Sequence, residues 1–261
     1  MRLNHSFVKL QKSFDAERIA AEVRALPATA WLPHPGNYPG NDAVLLVTPE
    51  GQMTNGFTGQ MAATDHLRAC PYIMEVMGEI GAVWGRSRLM GLGPGAVVPP
   101  HVDVNYHWRT HMRIHIPVIT NPQVRFTCGE DSVHMAPGEC WAFDSFQMHN
   151  VRNGGSEKRV HLVLDTVDGE EMWDLIDAAQ NPEAQDMGTV APRAPRPARP
   201  LRFERVDMHR IMSPWGVRCH IAYLAEHLVP SPRLQPALNR LDRFAAAWTS
   251  AWSEHEGSAA G

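Results

Sequence analysis

THMRIHIPVIT, residues 110–120, reads as a β-strand more clearly than any other stretch of the chain. Met112, Ile114, Ile116 and Val118 fall on one side of an extended backbone, and His111, Arg113, His115 and Pro117 on the other, because successive side chains of a strand point to opposite faces. One greasy face backed by a face of two imidazoles and a guanidinium is what the wall of a polar cavity requires. The competing reading puts those polar groups in bulk water, outside a sheet. Outward from this strand the texture persists. Upstream, RSRLMGL (86–92) alternates, Gly93-Pro94-Gly95 turns, and Ala96-Val97-Val98 leads through Pro99-Pro100 to His101-Val-Asp103. Downstream come VRFTC (124–128), SVHM (132–135), ECWAF (139–143), His149-Asn-Val151 and RVHLVLD (159–165), separated by turns rich in glycine and proline. Short strands at this turn spacing predict a fold that is mainly β with flanking helices: an antiparallel double-stranded β-helix, the jelly-roll or cupin-like architecture.

The chemistry concentrates at His101 and Asp103. Two residues apart on an extended strand they point to one side, so an imidazole and a carboxylate can grip one face of a metal ion. His149, from a later strand, supplies a third ligand. Two histidines and one carboxylate leave three positions open, the pattern of non-haem Fe(II) oxygenases. Arg159 then suits the far carboxylate of 2-oxoglutarate, since a guanidinium meets a carboxylate with two parallel hydrogen bonds. In a chain with 14 histidines a lone H-x-D is an expected accident, so the weight rests on the ordered set. The same three ligands could serve a Zn-dependent hydrolase, which would have no use for Arg159. A cupin that binds a metabolite without turnover is the other alternative.

With 44% hydrophobic and 20% charged residues the chain is an ordinary globular protein, and a net charge of −4 without basic runs argues against nucleic acid. No apolar run at the start is long enough for a signal peptide or membrane span, so no membrane partner and a cytoplasmic location are expected. Cys70, Cys128, Cys140 and Cys219 lack C-x-x-C spacing and read as reduced thiols, Cys128 and Cys140 inside core strands.

Helical spacing appears at 14–26, 71–84 and 171–179, and AVLLVT (43–48) reads as a further strand. These place a jelly-roll domain with N-terminal helices at 1–180. A proline-rich linker follows at 181–200, then a helical C-terminal region at 201–261, with helices over 211–228 and 234–252 and a disordered tail from 253. That region could cover the barrel or mediate a homodimer contact.

Taken in order, RLMGLGPGAVVPPHVD, RIHIPVITN, HMAPGECWAFD, His149-Asn-Val and Arg159-Val-His-Leu-Val-Leu-Asp resemble the aspartyl/asparaginyl β-hydroxylase and proline hydroxylase family of Fe(II)/2-oxoglutarate oxygenases. The resemblance implies Fe(II) on His101, Asp103 and His149, with 2-oxoglutarate on Arg159 and its C1 end helped by Arg113 and His115. With O2 these would hydroxylate an unactivated C–H bond and release succinate and CO2. Tyr106, Trp108 and Arg109 form a candidate lip over the site, where rings could stack on substrate and the guanidinium could take an α-carboxylate. His111 stands where some family members have an additional arginine, which weakens the case for an aspartyl substrate. A free amino acid or small amino-acid-derived metabolite is therefore the expected substrate, and an Asp/Asn residue in a peptide or protein the alternative.

Overall fold

The structure is a computed structural model that describes residues 3, 5–36, 38–56, 59–103, 111–143, 145, 147–167, 169–180, 200–205 and 212–255. It divides into two units, Met1–Val206 and Asp207–Gly261. Among its described residues the first carries thirteen strands: β1 (Phe7–Ser13), β2 (Leu32–Pro33), β3 (Asn41–Pro49), β4 (Met61–Ala63), β5 (Val83–Leu92), β6 (Val97–His101), β7 (Met112–Ile119), β8 (Val124–Cys128), β9 (Asp131–Val133), β10 (Glu139–Phe143), β11 (His149–Asn153), β12 (Arg159–Thr166) and β13 (Arg202–Phe203). Its helices are α1 (Ala16–Ala25), α2 (Asp65–Arg68), α3 (Pro71–Ile80) and α4 (Glu170–Gln180).

Nine strands form the larger sheet, in the order β1-β10-β7-β12-β5-β3-β2 with β4 on β3 and β13 on β5; the smaller sheet runs β6-β11-β8-β9. All pairings are antiparallel except β13 on β5, so the jelly-roll expected from turn spacing is the observed architecture. The alternation of β7 splits the interior as its sequence demands. Ile114, Ile116 and Val118 join Leu162 and Leu164 of β12 in a core shared with Ile19, Ile73, Met77 and Ile80 of the helices. The opposite face of β7 is buried too, which removes the bulk-water reading: Arg113 and His115 look into the space between the sheets, beside a second core of Phe126, Phe143 and Val151.

Several boundaries differ from expectation. The helix read over 71–84 stops at Ile80, because Gly81 takes a left-handed φ of 79° and caps it, and Val83 and Trp84 open β5 instead. FVKLQKS at 7–13 is an edge strand on β10 that sequence reading missed. It enters α1 through Phe14, whose N–H donates to Gly138 O at 2.8 Å, and a Cβ at Gly138 would collide with the Phe14 carbonyl. The jelly-roll unit extends beyond 180: Arg202–Phe203 pairs with Val83–Trp84, so the C-terminal helical region does not begin at 201. Residues 181–199 of the expected linker lie outside the described residues.

The second unit is a helix pair, α5 (Pro214–His227) and α6 (Leu234–His255), around Val217, Ile221 and Ala245. Helix α6 runs to His255, so the tail expected to be disordered from 253 begins as helix. Among the described residues no helix is long and apolar enough to cross a membrane. Cys70, Cys128 and Cys140 are buried and Cys219 is half-buried.

Candidate metal centre

Cross-strand register assembles the site. His149 of β11 lies opposite His101, the last residue of β6, and opposite Cys128 of β8, which fixes both imidazoles on the smaller sheet. Asp103 sits just past the end of β6 rather than on it, held by its N–H donating to Ser145 O at 3.1 Å. One donor atom from each of His101, Asp103 and His149 lies within 4.8 Å of the other two.

The hydrogen bonds around the three decide which atoms are free. His101 Nδ1 sits 2.9 Å from Pro99 O, and His149 Nδ1 sits 2.9 Å from Gln147 O. A carbonyl only accepts, so both rings carry their proton on Nδ1 and keep the Nε2 lone pair for a metal. Burial holds the His149 imidazole down at about 4, neutral and competent to ligate at neutral pH. Asp103 Oδ2 accepts from Arg113 Nη1 at 3.0 Å, leaving Oδ1 3.7 Å from His101 Nε2. Two imidazole nitrogens and one carboxylate oxygen suit a divalent transition metal, so the donor set fits iron.

Arg113 proves to be the support of this set. Its Nε donates to Asp165 Oδ1 at 2.9 Å while Nη1 holds Asp103, so its charge is engaged by two carboxylates instead of being free for a co-substrate. Burial would pull its guanidinium down, but Asp165 and Asp103 lift it above its ordinary value. Arg113→Gln should lower metal affinity by about 10–100-fold, the usual cost of losing an outer partner of a ligand. It should also destabilise the fold by leaving Asp165 short of a counter-charge; metal-binding isotherms and thermal midpoints check both.

A cavity of ≈370 Å³ opens beside His101, Asp103 and His149, and Arg86, Arg88, Arg113, His115 and Arg159 line it. The sequence reading did not find Arg86 and Arg88. Their signal was present in R-S-R, whose i, i+2 spacing on β5 puts both on the inner face. Arg88 is 4% exposed and has no hydrogen-bond or ion-pair partner among the described residues; burial, then Arg113, lowers it to about 10. Arg159 is also 4% exposed, and its Nε and Nη2 are buried without a partner among the described residues. Burial lowers it to about 9, which leaves it cationic at neutral pH. Among the described residues of the cavity wall these four arginines face one carboxylate, Asp103, with Asp165 behind. Such a pocket calls for anions.

His111 does not reach the cavity: its Nε2 meets Glu204 Oε2 at 2.9 Å, so the sequence position that suggested substrate contact serves a link to the segment carrying β13. Tyr106, Trp108 and Arg109 lie outside the described residues. His34 and Tyr38, which the sequence reading left unassigned, line the cavity with rings stacked at 6.2 Å.

Four imidazoles, three buried and His34 half-buried, give this fold an acid limit. His34 and His149 are held at about 4, chiefly by burial, and burial keeps His115 and His161 well below 6.5. The unfolded chain binds protons that the folded chain refuses, so stability is full above 6.5 and falls as pH drops toward 4. Thermal midpoints of the metal-free protein from about pH 7.5 to about pH 4.5 should decline across that window.

Residues 44–168 match the family described as "Aspartyl/Asparaginyl beta-hydroxylase". A curated relative, L-proline cis-3-hydroxylase 2 from Streptomyces sp, is 30% identical over 112 residues, covering 39% of this chain and 37% of that protein. The match thus spans little more than a third of the relative's length. Among solved structures, a 2OG-Fe(II) oxygenase family oxidoreductase from Burkholderia pseudomallei is 13% identical with a TM-score of 0.45, covering 60% of this chain and 80% of the other. A Pseudomonas putida prolyl-4-hydroxylase is 16% identical with a TM-score of 0.44, covering 62% and 93%.

Proposed function

We propose, from a segment of the Aspartyl/Asparaginyl beta-hydroxylase family at residues 44–168, that the chain is an Fe(II)- and 2-oxoglutarate-dependent dioxygenase. It hydroxylates an unactivated C–H bond of a free amino acid or small amino-acid-derived metabolite, with succinate and CO2 as co-products. The observation that carries this reading is the pairing, in one cavity, of a His-Asp-His donor set with an unpartnered buried guanidinium, Arg159. When bound, ferrous ion with 2-oxoglutarate and dioxygen supplies the oxidising chemistry.

The chain's own residues bind, aim and exclude water. His101, Asp103 and His149 would hold the ion, their donor atoms oriented by Pro99 O, Arg113 and Gln147 O. Arg159 would take the C5 carboxylate of 2-oxoglutarate, satisfying Nε and Nη2 together. Met90, Leu92, Val98, Phe126, Phe143 and Val151 give the cavity an apolar lining that keeps it dry. Arg88 is the best remaining cation for a substrate carboxylate. A volume of ≈370 Å³, at the small end of ligand pockets, supports a small substrate over a peptide.

The test is succinate formation by purified protein supplied with Fe(II), 2-oxoglutarate and single free amino acids, L-proline first because the relative is named for it. Product should gain one oxygen atom. A Zn-dependent hydrolase or a non-catalytic binder forms no succinate, so its absence with every substrate and metal combination sinks the reading. Arg88→Leu should raise KM for the amino acid by about 10–100-fold, the worth of one charged hydrogen bond, while substrate-independent succinate release continues. Initial rates with varied substrate check it.

A further inference from the structure

His161 has no role in the reading above, yet it stands two residues from Arg159 on β12, fully buried. Its Nδ1 lies 3.3 Å from Nδ1 of His115, which is on the cavity wall. Burial and the charge of Arg159 keep both rings neutral. Two neutral imidazoles that meet through Nδ1 share a single proton there: one ring donates and the other accepts. That choice dictates the far nitrogens. If His161 donates, His115 carries its proton on Nε2; if His115 donates, it presents a bare lone pair at Nε2.

Among the described residues both Nε2 atoms are buried without a partner, as are Arg159 Nε and Nη2. A carboxylate on Arg159 gains from one more N–H and is repelled by a lone pair. With that carboxylate bound, the reverse arrangement would also strand an N–H on His161 Nε2, and orphaned donors are rarer in folded proteins than under-satisfied acceptors. Both arguments choose the same proton position. We propose that His161 is a positioning residue: by donating from Nδ1 to His115 Nδ1, it turns His115 Nε2–H into the third donor of a carboxylate socket whose other two are Arg159 Nε and Nη2. The inference rests on the reading that the anion is the C5 carboxylate of 2-oxoglutarate, and it moves His115 to that end from the C1 end, where the family resemblance placed it.

The experiment uses the full chain loaded with redox-inert Zn(II), titrated with 2-oxoglutarate by calorimetry, alongside nitrogen-edited NMR of the histidine rings. The complex should show His115 protonated at Nε2 and bare at Nδ1. His161→Phe should weaken 2-oxoglutarate binding about ten-fold or more, the loss of one hydrogen bond to a charged group. His161→Asn, whose amide nitrogen sits near the position of Nδ1, should recover most of it. In the Fe(II) protein the same loss should appear in KM for 2-oxoglutarate, with kcat at saturation retained. Protonation of His115 at Nδ1 in the complex, or wild-type affinity in His161→Phe, overturns the inference alone. Failure of wild-type Zn(II) protein to bind 2-oxoglutarate overturns the underlying reading and the inference with it. If His161→Phe does not fold, the ring protonation in wild type decides.

Discussion

His149→Ala should give a folded protein that no longer retains Fe(II) and whose succinate formation falls by about 10³-fold or more, because a bound metal supplies several kcal/mol to the reaction. His101→Ala should do the same. Both imidazoles present a bare Nε2 because a backbone carbonyl occupies each Nδ1, so neither can be replaced by a neighbouring group. Truncation at His149 also removes a ring packed on Phe143 at 5.1 Å, so a modest loss of thermal stability should accompany the loss of metal. Metal content after gel filtration and succinate release measure the two effects separately. A variant that keeps both iron and turnover would remove His149 from the ligand set.

Arg159→Ala should leave the metal in place and raise KM for 2-oxoglutarate by about 10²-fold or more, since two charged hydrogen bonds to one carboxylate vanish together. This variant asks less of the fold than most buried truncations. The guanidinium has two buried nitrogens with no partner among the described residues, so the metal-free protein loses an unsatisfied group along with the side chain. Its thermal midpoint should therefore hold or rise while co-substrate binding collapses, and that opposition is diagnostic of a residue kept for a ligand. Calorimetric titration with 2-oxoglutarate and a melting curve on the same preparation read both.

Local periodicity made the sandwich legible. Alternation in 110–120 and 159–165 fixed which faces turn inward, and turn residues marked where each strand ends. The convergence of His101, Asp103, His149 and Arg159 on one cavity was legible because the chemistry expected of them restricts residue type so tightly. What pairs across the chain was not. Arg113 finds Asp165 52 residues away and His111 finds Glu204 93 away, and no local pattern announces either partner. Strand β1 escaped because FVKLQKS runs straight into α1, and it has few inward anchors: Val8 and Leu10 are buried, and Phe7 is half-buried against Phe126 and Phe143. The helix over-read past Ile80 shows a weak signal, one glycine, deciding a boundary against a continuing apolar rhythm.

The route by which Asp103 is aimed has a mechanical corollary. Two of the candidate ligands belong to the smaller sheet, but the third, Asp103, is steered by Arg113 and Asp165 of the larger one. An ion seated among them would rivet the two leaves of the sandwich across their seam. Slack introduced anywhere along that seam would then reach the coordination sphere, and metal retention would report on how tightly the leaves are closed.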